Sequence, residues 1–220
     1  MAINEKDFIE LEFTGRVKDG EVFDSNIEDD IKKEGLGIEA KPFVFAVGEG
    51  MFLKAIEDFL VGKEMGRHRI ELPPERAFGK RDARLIMRIP LKVFREQRIS
   101  PVQGGVFNFD GRLAKILAVS GGRVMADFNN PIAGKDVIYD LNVKRKVEDI
   151  NEKIKSFVNF LFKRDFSFEI SGKKLVLTVD PGFGKFAELF REKFMDLFGL
   201  ELEAKEKEND GKNSPENNQL

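Results

Sequence analysis

The chain has 220 residues, 41% of them hydrophobic, enough to fill one large core or a few small ones, so a wholly disordered chain is excluded. Charged residues reach 35% against a net charge of −2, which suits an ion-pair-laced surface and argues against nucleic-acid binding by the whole chain. With no cysteine and with His68 as the single histidine, disulfides, thiolate chemistry and His-His metal pairs are excluded, and a Ser-His-Asp triad would hang on one residue.

Residues 7–24 alternate in strand fashion around Lys18-Asp19-Gly20, an Asp-Gly signal for a β-hairpin. Residues 26–41 are polar and charged and read as a solvated loop. Residues 42–47 predict another strand, closed by Gly48-Glu49-Gly50. Leu53, Ile56, Phe59 and Leu60 then fall at helical spacing, giving a short amphipathic helix that stops at Gly62. Residues 68–72 alternate again until Pro73-Pro74. Residues 84–126 change character, with eight Lys and Arg against only Glu96 and Asp110, and short β-like runs at 105–109 and 114–119. A strand pattern returns at 136–143, so a small β-rich module interrupts a larger one.

From residue 148 the period becomes 3.6, with Ile150, Ile154, Phe157, Val158 and Leu161 on one helical stripe. Strands at 166–170 and 174–179 follow. A second helix carries Phe183, Phe186, Phe190, Phe194 and Leu197 on one face. This α-β-β-α unit is too small to bury much apolar area alone, so docking or dimerisation is expected to help it. Its phenylalanine stripe is either a homodimer interface or packing on its own strands. Residues 204–220 are polar and low in complexity and read as a disordered tail. No apolar run reaches the ~18 residues of a membrane span, and the N-terminus lacks a signal-peptide pattern, so a cytoplasmic protein without a membrane partner is expected. Abundant Lys and Glu without Cys or Trp fits a thermophile.

Ordinary catalysis finds no support. His68 lies between arginines in a strand, Gly48-Glu49-Gly50 lacks the Lys-Ser/Thr of a phosphate loop, and no ligand set predicts a metal or cofactor. What remains is a group of Phe and aliphatic residues in loops and strand ends around one acid, Asp24. Taken singly, each Phe reads as core, and Asp24 reads as a turn carboxylate.

Taken together they meet a family pattern. Phe13-Thr14-Gly15, Asp19-Gly20-x-x-Phe23-Asp24-Ser25, Pro42-Phe43-x-Phe45-x-x-Gly48, Leu53-x-x-Ile56-Glu57, Gly62-Lys63-Glu64-Met65-Gly66, Pro73-Pro74-Glu75-x-Ala77-Phe78-Gly79, Asn130-Pro131-Ile132-Ala133-Gly134-Lys135 and the strand through Tyr139 keep one order and spacing. The chain thereby resembles the FKBP-type peptidyl-prolyl isomerases. The interruption resembles the insert-in-flap domain of the SlyD-like subfamily, and the C-terminal addition that of long archaeal members. The resemblance implies an α+β fold. An FKBP antiparallel sheet wraps on a short helix (1–84 plus 127–148), followed in space by a small β-rich inserted chaperone domain (85–126) and a C-terminal α-β-β-α domain (149–203).

The same resemblance implies that Asp24, Leu53 and Phe78 are catalytic, and that Phe13, Phe23, Phe43, Phe52, Ile56 and Tyr139 bind substrate. Leu53 would offer its backbone N–H to a substrate carbonyl, and Asp24 its carboxylate near the rotating bond. Ile56 stands where many relatives have Trp. Phe78 stands where they commonly have Tyr, which removes a hydroxyl donor worth ~0.5–1.5 kcal/mol. Such chemistry needs no cofactor, and the His- and Cys-rich metal-binding tail of SlyD-like members has no counterpart here. Expected partners are unfolded or nascent proline-containing polypeptides, with a macrolide as a further ligand. Ile89, Val93 and Phe94 mark the expected chain-binding surface of the insert. Two alternatives stay open: a holdase with weak isomerase activity, and a ribosome- or RNA-associated folding factor using the basic insert. Nucleic acid is the less favoured partner because the insert lacks Tyr and Trp for stacking.

Overall fold

In the computed structural model, which describes residues 2–207, the first alternating run forms β1 (Phe8–Val17), turns through Asp19 in the left-handed region and returns as β2 (Val22–Ser25). The segment read as a loop contains a helix, α1 (Glu28–Glu34). It carries Glu28, Asp29 and Asp30 in its first turn, Lys32 and Lys33 in its last, and ends on left-handed Gly35, so its charges follow the helix dipole. Only Ile31 is buried, which is why no apolar periodicity announces it. β3 (Phe43–Ala46), α2 (Lys54–Leu60) and β4 (Gly66–Leu72) follow as expected.

The insert begins with β5 (Ile86–Pro90) and a helix, α3 (Leu91–Glu96), and continues through β6 (Val106–Phe109), β7 (Arg112–Ser120) and β8 (Arg123–Asp127). These strands make a sheet ordered β5-β8-β7-β6 with a core of its own, in which Phe94, Ala114, Ile116, Val124 and Ala126 are buried. The chain then re-enters the first sheet as β9 (Val137–Lys146), giving the order β2-β1-β9-β4, antiparallel throughout, with β3 beside the N-terminal half of β1.

The C-terminal unit opens with α4 (Ile150–Phe162), capped by the Asp149 carboxylate on the N–H groups of Asn151 and Glu152. After β10 (Ser167–Ser171) and β11 (Lys174–Val179) the structure departs from α-β-β-α. The second helix is two, α5 (Gly184–Glu188) and α6 (Arg191–Phe198), interrupted at Leu189-Phe190. They act as the crossover to β12 (Glu201–Glu206), which pairs parallel to β11. Of the expected disordered tail, residues 204–206 therefore belong to a strand, in which Leu202 is buried and the flanking glutamates are exposed. Residues 208–220 lie outside the described residues.

This unit docks on the first sheet. Phe8 of β1 meets Phe198 at 5.6 Å, Phe157 and Phe194 join the same apolar core, and Lys6 pairs with Asp196 at 2.6 Å. No helix among the described residues is long and apolar enough to cross a membrane.

Candidate active site

Six rings meet where β1, β2, β3, β9 and the loop before α2 converge. Phe13 lies 4.8 Å from Phe52 and 5.7 Å from Phe43, which are themselves 5.1 Å apart. Tyr139 stands edge-on at 5.8 Å to both Phe52 and Phe23, and Phe23 stands edge-on to Phe78 at 5.4 Å. Each such pair adds about 0.5–1.5 kcal/mol beyond area burial, so the rings hold one another in place. Phe13, Ile56 and Tyr139 are buried and form a floor, while Phe23, Phe43, Phe52, Leu53 and Phe78 are half-buried and form a rim. The floor depends on Gly15, the register partner of Tyr139. A Cβ there would stand 2.7 Å from Tyr139 Cε1 and 3.1 Å from Phe23 Cζ.

Asp24 sits beside this basin. Burial raises its carboxyl above the usual range, against the opposing hydrogen bond from the Ser25 backbone. It has no ion-pair partner among the described residues. Burial, and secondarily the charge of Asp24, push the Tyr139 hydroxyl upward. The basin thus combines apolar walls with one uncompensated negative group.

The loop carrying Phe52 and Leu53 is held from two sides. Glu57 is buried on α2 and its carboxylate accepts the N–H groups of Gly50 at 3.0 Å and Phe52 at 2.7 Å. Lys193 of α6 forms an ion pair with Glu49 from the other side. Leu53 caps α2 with its carbonyl, which accepts Ile56 and Glu57 N–H at 2.8 and 3.1 Å. No hydrogen bond among the described residues takes up the Leu53 N–H, one of the orphan donors of a helix start. Glu57 enters the sequence pattern only as a motif position without a role, because its partners are backbone groups, which carry no side-chain signature.

The nine basin residues expected from the sequence are brought together; the three insert residues are not. Phe94 is a correction, since it is 1% exposed and its ring stands edge-on to Phe107 and Phe109 at 6.3 and 5.6 Å. Residues 91–96 are helical, so the fourth residue turns back onto the sheet instead of outward. Ile89 is half-buried against the same core, and Val93 is exposed. The larger exposed apolar groups are elsewhere: Val106 and Leu113, 61% and 64% exposed, lie on the outer face of β6 and β7, near exposed Val102. Phe107 and Phe109 are half-buried and pack edge-on against Phe94.

Two crossings join the insert to the first sheet, and they are clasped. Asn129 donates to Asp82 O at 3.0 Å and accepts Asp82 N–H at 2.8 Å, and it also donates to Asp127 at 2.7 Å. Arg81 completes an ion pair with buried Asp127. Burial pushes the Asp127 carboxyl up, but these hydrogen bonds and the Arg81 charge outweigh it and hold it below the usual range.

The phenylalanine stripe of the C-terminal unit is mostly used internally. Phe194 is buried, and Phe186 and Phe190 stand edge-on to Phe162 at 5.9 and 5.6 Å, with Phe186 and Leu189 left exposed. His68 has a local role, its Nε2 lying 2.8 Å from Glu64 O and its ring edge-on to Phe59. Among the described residues no group of three or more His, Asp and Glu is placed to hold a metal ion.

Comparison with known proteins gives the following. The sequence model of FKBP-type peptidyl-prolyl cis-trans isomerases matches residues 1–91, and that of the FKBP26 IF domain matches residues 87–132. The short-type peptidyl-prolyl cis-trans isomerase of Methanocaldococcus jannaschii is 32% identical over 146 residues, 64% of this chain and 92% of that protein. The FKBP-type 16 kDa isomerase of Escherichia coli strain K12 is 28% identical over 127 residues, 55% of this chain and 85% of that protein. SlyD of Aeromonas hydrophila is 27% identical over 141 residues, 62% of this chain and 60% of that protein. The solved structure of the three FKBP domains of wheat FKBP73 aligns at a TM-score of 0.37 and 16% identity, over 68% of this chain and 42% of that one.

Proposed function

The chain belongs to the FKBP-type peptidyl-prolyl cis-trans isomerase family and is an enzyme of that type; on that premise we propose that its aromatic basin isomerises X–Pro bonds of folding polypeptides while the inserted sheet holds the unfolded chain. Rotation about an X–Pro bond crosses a barrier of ~18–20 kcal/mol through a twisted amide, with no bond made and no proton moved. The Phe13, Ile56 and Tyr139 floor takes the proline ring, and exclusion of water by the rim disfavours the polar planar amide relative to the twisted form. Leu53 N–H fixes a neighbouring carbonyl. Asp24 sets the field at the rotating carbonyl.

The observation that carries this reading is the uncompensated carboxylate of Asp24 in an apolar basin. A turn carboxylate would be expected to gain from its surroundings, whereas burial works against this one. Asp24→Asn is therefore expected to keep or raise stability while lowering kcat/KM on a blocked proline tetrapeptide on the order of tenfold. Urea unfolding and protease-coupled turnover read the two arms; a variant that loses stability and keeps its rate would assign Asp24 to structure alone. Phe78→Tyr is expected to act in the other direction. Restoring a hydroxyl at the rim, worth about 0.5–1.5 kcal/mol, should raise kcat/KM between about twofold and tenfold. An unchanged rate would show that Phe78 contributes only its ring.

For the insert, the exposed β6 edge flanked by Val106 and Leu113 supports strand addition of an extended apolar segment. Arg88, Arg95, Arg98, Lys115 and Arg123 have no ion-pair partner among the described residues and would favour acidic clients.

A further inference from the structure

A groove of about 490 Å³ runs between β3 and α4, where the C-terminal unit docks on the first sheet. Pro42, Phe43 and Val44 form one wall and Met51 the floor; Lys155, Asn159 and Lys163 face them from α4 and its C-cap. Phe43 belongs to both places. Its ring packs on Phe13 and Phe52 in the basin and also lines the groove, so basin and groove share a wall.

The backbone of β3 suits an extended chain there. Val47 donates toward the β1 side, to Asp7 O at 3.0 Å, and Ala46 turns its N–H the other way, onto the Met51 sulfur at 3.2 Å. In an antiparallel ladder these directions alternate, so Val44 turns its N–H and C=O away from β1, on the groove side. The acidic groups there are engaged: Glu152 shares the Arg145 guanidinium with Glu10, and the Asp165 carboxylate accepts Asn159 Nδ2 at 2.8 Å. The cations on α4 and its C-cap are Lys155, which has no ion-pair partner among the described residues, and Lys163, whose ammonium lies 4.7 Å over the Phe160 ring.

We propose that this groove is an extended subsite for the substrate chain: a segment flanking the proline lies along Val44 as a short strand and places an Asp or Glu between Lys155 and Lys163. The proposal rests on the isomerase reading of the basin. It assigns to the C-terminal unit a part in choosing which prolines are turned over, those with acidic residues a few positions away. A single free strand residue walled by a helix admits one extended chain and is too short for sheet-to-sheet pairing of two copies.

The test uses fluorescently labelled proline peptides with about five residues on each side, at ~3.3 Å per residue, carrying either acidic or basic flanks. Fluorescence anisotropy with the full chain is expected to give about tenfold tighter binding of the acidic peptide, and the double variant Lys155→Glu, Lys163→Glu is expected to invert the order. Equal affinities in the unaltered chain, or an order unmoved by charge reversal, would overturn the subsite. So would a change in sedimentation coefficient on charge reversal, which would make the groove an interface between copies. A gain in affinity from truncation after Lys207 alone would also overturn it, by making the chain's own C-terminal segment the occupant. Turnover of a blocked tetrapeptide by the unaltered chain reads the basin separately: charge-dependent binding without turnover would sink the isomerase reading and leave the groove standing.

Discussion

Glu57→Ala is expected to lower stability by ~2–6 kcal/mol and to remove most of the turnover, although Glu57 lines no part of the basin. Its carboxylate is buried and accepts the N–H groups of Gly50 and Phe52, so truncation leaves two donors unpaired at ~1–3 kcal/mol each. The loop they belong to needs that support. Gly48 and Gly50 both occupy the left-handed region, at φ of 87° and 70°, and glycine there leaves the unfolded chain with much freedom to regain. Once released, the loop no longer aims the Leu53 N–H or keeps Phe52 against Phe13, and misplacement by about 1 Å can lower a rate 10²-fold. Glu57→Gln retains an acceptor oxygen and is expected to fall between the two. Urea unfolding gives the stability. Hydrogen exchange at Gly50 and Phe52 localises it: continued protection of both amides in the alanine variant would show that the loop is held by other means, the Lys193–Glu49 pair first among them.

This dependence on Glu57 also shows where sequence reading reaches its limit. β1, β2, β3, β4 and β9 were legible because half-buried strands write their burial into a period of two, and Asp19-Gly20 marked the hairpin. The basin residues were legible only as a set, through a family resemblance, because a lone Phe in a loop has the same composition whether it lines a pocket or fills a core. Phe94 illustrates the converse error. In sequence it reads as part of a chain-binding surface with Ile89 and Val93, whereas the 3.6 period of residues 91–96 turns that ring inward. β12 hid behind its charge, since an edge strand that alternates Glu and Lys with Leu202 and Ala204 looks locally like a solvated tail. The roles of Glu57, Asp127 and Asn129 are invisible in the sequence for another reason. Their burial is a tertiary fact, and most of their partners are backbone groups or residues some 45 positions distant. The β3–α4 groove is a property of two elements more than 100 residues apart, so no window of sequence contains it.

Deleting the insert is expected to separate peptide turnover from folding catalysis. Ile86 and Asp127 are register partners across β5 and β8, so residues 87–126 can be replaced by Asn-Gly, the two-residue turn that joins antiparallel partners. The cut spares Arg81, Asp82, Asp127 and Asn129, which keep the clasp, and Phe128→Ser in the same variant removes a ring that would lose its packing on Phe109. Because the insert has its own apolar core, separate from that of the first sheet and the C-terminal unit, the remaining stability should change by less than about 1 kcal/mol. Tetrapeptide turnover reads only the basin and should persist within about threefold. Catalysis of a proline-limited refolding reaction should fall on the order of 10²-fold, because a chain held by the insert presents its prolines to the basin at an effective concentration that free encounter does not reach. If refolding catalysis survives the deletion, the insert is not what holds the client, and the β3–α4 groove together with the basin must supply the affinity. If the full chain suppresses aggregation while both variants turn over prolines equally slowly, the holdase reading takes precedence, and the missing hydroxyl at Phe78 becomes its cause.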